Sequence, residues 1–154
     1  MNSPVGPLHM ISVSGKLVAL VFDNSWREFT AQRQLNLLQK KDKIIIETVK
    51  QLKEYFNKKR KIFNLPIEYS GTVFQKQAWK TLQEIPYGQT ISYTEQAFRM
   101  NKCKAMRAVG GANAKNNICI IIPCHRVIGK NGNLTGFSGG VSIKARLLQF
   151  ENFK

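Results

Sequence analysis

Ile122-Pro123-Cys124-His125-Arg126-Val127 closes the apolar run Ile-Cys-Ile-Ile-Ile of residues 118–122, and it is the stretch on which the reading of this chain turns. A cysteine seated between a rigid proline and a histidine is either a small buried hydrophobe at a strand end or a nucleophile held still. Adjacent side chains do not face each other on a helix and point to opposite faces of a strand. His125 is therefore poorly placed to touch the Cys124 thiol, and a bridging water is the natural geometry for activation. Such a histidine needs an orienting carboxylate on its other nitrogen. From residue 69 onward the chain offers only Glu84, Glu95 and Glu151. Glu95 fits a capping box with Ser92. Glu151 lies near the C-terminal end of the helical segment VSIKARLLQFEN, whose core face reads as Ile143, Leu147 and Phe150. A carboxylate near a helix C-terminus opposes the dipole unless something specific holds it, so Glu151 is the better candidate.

Other chemistries fit less well. Cys103, Cys119 and Cys124 lack paired C-x-x-C spacing, and an adjacent Cys-His pair cannot easily ligate one ion, so no metal site is expected. Cys103 and Cys119 read as structural thiols. A Cys-His-Glu hydrolase would usually bring its histidine from elsewhere in the chain and would leave the basic surface unexplained. That surface is pronounced: the 154 residues carry a formal charge of +15. Genome base bias toward Lys and Asn is the bland source, but it should also favour Glu, and Asp plus Glu total only nine. A polyanionic partner, most simply nucleic acid, is the better reading. Residues 1–68 hold twelve basic and six acidic residues, residues 69–154 twelve and three, so the second part is the expected contact surface. No apolar run approaches the roughly 18 residues of a membrane span. An odd cysteine count without a secretory signal leads us to expect reduced thiols in the cytoplasm.

Outward from the centre, LHMISVSGKLVALVF predicts two short strands, Leu8–Val13 and Leu17–Phe22, about a Ser14-Gly15 turn. Asp42 caps a predicted helix with Ile45, Val49, Leu52 and Phe56 on one face. The NKKRK run after it is either a nucleic-acid patch or a solvated helix end. FNLPIEYSG reads as a linker, giving domains 1–68 and 69–154. Thr72 and Gln75 form a capping box for a helix carrying Phe74, Ala78, Leu82 and Ile85, stopped by Pro86-Tyr87-Gly88. A short helix runs from Ser92 to about Met100. A three-residue turn, Asn101 to Cys103, leads to another from Lys104 to about Ala114, a helix-turn-helix outline. Ala105, Ala108, Gly110, Gly111, Ala112 and Ala114 make this last helix small-faced, suited to close packing on a neighbouring helix or to a DNA backbone with Arg107 as its long basic probe.

The string RAVGGANAKNNICIIIPCHRVIGKNGNLTGFSGG closely resembles the signature region of the O6-alkylguanine-DNA alkyltransferases, also called methylated-DNA–protein-cysteine methyltransferases. The resemblance covers most of residues 71–151, and SPVGPL and GKLVALVF resemble the family's N-terminal domain more loosely. It implies an α/β domain with a ribonuclease-H-like sheet, then a helical domain with a winged helix-turn-helix entering the minor groove of double-stranded DNA. It implies single-turnover transfer of an alkyl group from guanine O6, with O4-alkylthymine a second candidate substrate, to Cys124. His125 and Glu151 would form a relay through water, and Asn116 would hold the active-site segment. Arg107 would fill the gap left by a flipped nucleotide, with Ala105, Ala108 and Gly110 along the same groove helix. Tyr93 would assist the flip and contact the base. The carbonyls of Cys124 and Val127 would face the guanine amino group, and Ser138 in the GFSGG loop would offer its backbone N–H to the guanine oxygen. No cofactor is implied, and a monomer is expected. Two positions depart from the family pattern: Asn117 stands where proline is common, and Phe137 where tyrosine is common. Alkyltransferase-like proteins share the fold but lack the cysteine; Cys124 argues against that class.

Overall fold

The computed structural model describes residues 1–33, 37 and 42–151, which form two compact units, Met1–Tyr69 and Ser70–Lys154. In the first, β1 (Leu8–Val13) pairs antiparallel with β2 (Lys16–Phe22). Ser14 and Gly15 both adopt left-handed backbone, φ 49° and 76°, as a two-residue hairpin turn requires. The segment read as a linker joins this sheet: Leu17 N–H donates to the Pro66 carbonyl at 2.9 Å, and Glu68 N–H to the Leu17 carbonyl at 2.9 Å. A helix the sequence reading missed, α1 (Asp23–Ala31), follows β2 directly. Its apolar signal is only Trp26 and Phe29, too short to show a period. Packing of Phe29 on Ala19 and Val21, with Trp26 and Ile11 at the margin, holds it in place.

Asp42 caps α2 (Lys43–Phe56) by accepting from Ile45 N–H at 2.9 Å, as its position before an apolar run suggested. The buried face is rotated from the expected one: Ile44, Thr48, Gln51, Leu52 and Tyr55 are inside, whereas Ile45, Val49 and Phe56 are only partly covered. Two polar residues can be buried because both are satisfied. Thr48 donates to the Ile44 carbonyl at 2.7 Å, and Gln51 clamps Asn64 with two 2.9 Å bonds. Arg60 of the NKKRK run folds back onto Glu54 at 2.7 Å.

The second unit opens with α3 (Val73–Gln83), and the Thr72–Gln75 capping box is complete in both directions. Ala78 and Leu82 lie inside with Trp79, and Ile85 follows them into the core beyond the helix end. Next come β3 (Ile91–Ser92), α4 (Tyr93–Arg99) and α5 (Met106–Ala114). Ser92 caps α4 by accepting from Glu95 N–H, but the Glu95 carboxylate turns to Arg99 at 2.9 Å, so the expected capping box is half made. α5 starts two residues later than expected, Ala105 being its N-cap, and residues 100–105 form the turn. Asn101 at φ 55° reverses the chain there. Ala78, Ala97, Met100, Val109 and Ala112 pack α3, α4 and α5 together, and the Gln96–Asn113 side chains exchange hydrogen bonds of 3.0 and 2.7 Å at their centre. A parallel pair of β3 with β4 (Val127–Ile128) and a last helix, α6 (Val141–Phe150), complete the unit. Asn152, the end of the helical segment read from sequence, lies outside the described residues. No described helix is long and apolar enough to cross a membrane.

Candidate active site

The apolar run 118–122 is not a strand. Ile122 N–H reaches back to the Ile118 carbonyl at 2.9 Å and Ile121 N–H to the Cys119 carbonyl at 2.8 Å, a tight turn with Ile120 at φ 71°. A β-branched residue in this region is strained by about 1–2 kcal/mol and persists only where its surroundings over-determine it. Asn116 is what fastens the turn. Its Oδ1 accepts from Ile118 N–H at 3.0 Å, and its Nδ2 donates to the Ile122 carbonyl at 2.8 Å and to the Cys124 sulfur at 3.2 Å. Pro123 then leads into a 3-10 turn, Cys124–Arg126, so Cys124 stands on a turn rather than a strand end, and 4% exposed.

His125 and Glu151 meet as expected. The histidine Nε2 lies 2.9 Å from Glu151 Oε1, both residues buried. Burial pushes the imidazole pKa down against the pull of the carboxylate, leaving it neutral. An ionised Glu151 only accepts, so Nε2 carries the proton and Nδ1 the lone pair. Nδ1 is buried and has no hydrogen-bond partner among the described residues.

What holds Glu151 is a residue the sequence reading passed over. Arg126 donates Nε to Oε2 and Nη2 to Oε1, each at 2.9 Å, and Nη1 to the Ile85 carbonyl at 2.7 Å. Burial alone would raise the carboxyl pKa; the hydrogen bonds from His125 and Arg126 overcome it and hold the group well below the usual carboxylate range. Gly88 N–H adds a bond to Oε2 at 3.1 Å. Gly88 sits at φ 76°, and a Cβ there would meet the Glu151 carbonyl oxygen at 2.9 Å, so glycine is required twice over. The signal was present: an arginine inside an apolar string needs a carboxylate.

Lys144 was also missed, because it occupies the inner face of α6 where Ile143 was expected. It is fully buried; its Nζ donates to the Thr135 carbonyl at 3.0 Å and reaches the Tyr93 hydroxyl at 3.5 Å. Burial lowers its pKa to about 8, with Cys124 pulling the other way. Tyr93 also donates to the Thr135 carbonyl at 3.0 Å, and burial, then the nearby Cys124, raises its pKa. The Phe137 ring lies 5.9 Å from Lys144 Nζ, and Ser138 Oγ is 4.0 Å from the Cys119 sulfur. Val127, three residues after Cys124, is buried.

Tyr93 is also a wall of a cleft of about 390 Å³ shared with Met106, Arg107, Gly110, Thr135 and Gly136. Arg107 and Ala108 are exposed on the outer side of α5, and Ala105 is half-covered. Of the small residues, Ala112 packs inward against the neighbouring helices, while Ala108, Gly111 and Ala114 face out. The sequence-derived candidates therefore fall into two neighbourhoods: a buried thiol, imidazole and carboxylate, and an open cleft beneath the small-faced helix. Tyr93 connects them.

Comparison with known proteins places this arrangement. Residues 1–69 match the family model "6-O-methylguanine DNA methyltransferase, ribonuclease-like domain", and residues 73–153 match "6-O-methylguanine DNA methyltransferase, DNA binding domain". The constitutive methylated-DNA–protein-cysteine methyltransferase of Bacillus subtilis is 41% identical over 155 residues, covering 97% of this chain and 92% of that protein. The inducible Bacillus subtilis protein is 52% identical over 101 residues, 66% of this chain and 56% of its own length. A crystal structure of Mycobacterium tuberculosis OGT in complex with DNA superposes with a TM-score of 0.82 at 36% identity, covering 98% of this chain and 89% of the other.

Proposed function

Because the chain belongs to the 6-O-methylguanine DNA methyltransferase family, we propose that it repairs DNA by direct reversal, moving the alkyl group of O6-alkylguanine to Cys124 in a single turnover. The observation that carries the assignment of the acceptor is the Asn116 amide on the Cys124 sulfur at 3.2 Å, in a segment whose next residue is bound to a buried carboxylate. The thiol proton passes through a water to His125 Nδ1, while Glu151 holds the Nε2–H and steadies the imidazolium. The sulfur attacks the alkyl carbon, the carbon–oxygen bond breaks, and the guanine anion that leaves takes up a proton. The thioether formed has no labile acyl carbonyl, so the protein is consumed.

A target atom inside stacked DNA is unreachable, and extruding the base costs a few kcal/mol. The cleft beneath α5 suits that step. Arg107 and Tyr93 both line it. Arg107 fills the vacated stack from the minor groove and Tyr93 contacts the base. Val127, Phe137 and Ser138, which are not among its lining residues, are assigned to the base pocket on the family resemblance alone. The protein acts in the cytoplasm as a monomer on duplex DNA. The test is intact mass after incubation with a methylguanine-containing duplex. One added methyl, mapped to Cys124 and absent in Cys124→Ala, is expected, with duplex binding by that variant retained. Unchanged mass with tight binding would instead make this a damage-binding module.

A further inference from the structure

The basic run Asn57-Lys58-Lys59-Arg60-Lys61 admits two readings from sequence, a nucleic-acid patch or a solvated helix end, and the alkyl-transfer site uses none of it. Its backbone separates them. Lys59 N–H donates to the Glu54 carbonyl at 2.8 Å and Lys58 N–H to the Tyr55 carbonyl at 2.9 Å, the two bonds that close a helix around one left-handed residue. That residue is Lys58, at φ 58°. Glycine or asparagine is the ordinary occupant, because a longer side chain is penalised there. Asn57 stands next to it, and a lysine takes the position all the same. We propose that this turn of the first unit is a second DNA-contact surface, in which Lys53, Lys58, Lys59 and Lys61 hold the phosphate backbone of duplex DNA. The proposal rests on duplex DNA being the substrate.

Residues 53–61 carry five basic side chains and one acidic one. The carboxylate, Glu54, is engaged by Arg60, whose Nε and Nη2 both lie 2.7 Å from its Oε2, while Nη1 donates to the Ile62 carbonyl at 2.9 Å. The arginine thus closes the turn from within. The Gln51–Asn64 clamp and the Tyr55–Phe63 ring contact, centroids 5.4 Å apart, pin the chain that leaves it. Lys53, Lys58, Lys59 and Lys61 are all exposed on this fixed loop. A pinned turn loses less freedom on binding than a loose one. The residue types also divide by task. The planar arginine fork suits the internal carboxylate, whereas lysines are point charges that follow a phosphate backbone without reading its sequence. Complementing the helix dipole accounts for Lys53, in the last turn of α2, but that effect fades within the turn, and Lys58, Lys59 and Lys61 lie beyond it. A lysine held in left-handed backbone is a cost to the fold, and contact with a polyanion is what offsets it.

The full-length protein, titrated with undamaged duplex across a range of salt concentrations, provides the test. Lys58→Gln, Lys59→Gln and Lys61→Gln together should lower affinity about tenfold or more near about 0.1 M salt. The slope of the logarithm of the binding constant against that of salt should become shallower by about two. Lys16→Gln, Lys43→Gln and Lys50→Gln together remove the same charge from three exposed positions elsewhere in the unit and should leave the slope near wild type. Transfer from the free O6-methylguanine base should be unchanged in both variants. An unaltered slope in the first variant, or equal losses in the two, would overturn the proposal. So would a loss seen with single-stranded RNA and not with the duplex. Lys58→Gly is an independent check: it relieves the left-handed backbone, so the unfolding midpoint should rise while duplex affinity falls about threefold. Wild-type affinity in that variant, or a midpoint that fails to rise, would also overturn it. A wild-type protein that neither binds duplex nor gains a methyl on Cys124 would remove the DNA reading and this inference together, whereas normal binding with an unaltered slope in the first variant removes the inference alone.

Discussion

Arg126 grips Glu151 through two parallel hydrogen bonds of 2.9 Å, in a site where the carboxylate is 2% exposed. The same Oε1 receives His125 Nε2. One carboxylate therefore neutralises a buried guanidinium and orients the imidazole. Glu151→Gln should fail in both respects. Leaving Arg126 without its charge partner should destabilise the fold by about 3 kcal/mol, the scale for breaking a buried pair. Transfer should slow about tenfold or more because His125 is less able to become positive, with duplex affinity little changed. Denaturant melts and single-turnover kinetics check this; wild-type rate in the variant would remove Glu151 from the relay.

Arg107 should matter only where a base has to leave the stack. Arg107→Ala should slow reaction on duplex DNA by about tenfold or more and leave reaction with the free O6-methylguanine base near wild type, since that base needs no extrusion. The ratio of the two rates is the measurement. Equal losses on both substrates would show that Arg107 acts on the chemistry or the fold instead.

Lys144 gives a prediction in pH. Its folded pKa is about 8, whereas an unfolded lysine titrates near 10.4. Between these values the unfolded chain binds a proton that the folded one does not, so the stability owed to this group rises with pH across that window. Below it both states are charged and the cost of burying the ammonium is fully present. The unfolding free energy of the wild type relative to Lys144→Met should therefore climb from about pH 8 to about pH 10.4. A difference that stays flat would mean the ammonium titrates alike in both states.

Affinity for undamaged duplex should fall steeply with salt. With a formal charge of +15 on the chain, binding that neutralises several phosphates releases their counterions. The logarithm of the binding constant should fall linearly against the logarithm of salt concentration, by about 0.9 for each phosphate neutralised. A shallow slope would show that the basic surface is not where DNA binds.

Features decided locally were legible in the sequence. Asp42, Thr72 and Ser92 each cap a helix because the side chain and the N–H it accepts lie three residues apart. The pairing of His125 with Glu151 was legible for a different reason: few acids were available, and one of them sat where a helix dipole disfavours it. What could not be read depended on distant partners. The α2 face turned because Gln51 finds Asn64 thirteen residues away. Residues 118–122 have strand composition, yet the Asn116 side chain supplies the hydrogen bonds that make them a turn. Lys144 breaks the apolar pattern of its helix, and the Thr135 carbonyl and Tyr93, from two other segments, hold its ammonium there.

The left-handed Ile120 has a consequence for how the reactive thiol could be used. A free peptide with the sequence of residues 116–128 would relax Ile120 to ordinary backbone, lose the Asn116 clamp and leave Arg126 in water. Its cysteine would titrate near 8.5, as an unperturbed thiol does. The nucleophile thus comes into being only with the completed turn, and each covalent event at Cys124 counts one correctly folded molecule. In a mixed population the yield of alkylated protein is a census of the native state, readable by mass without any spectroscopic probe.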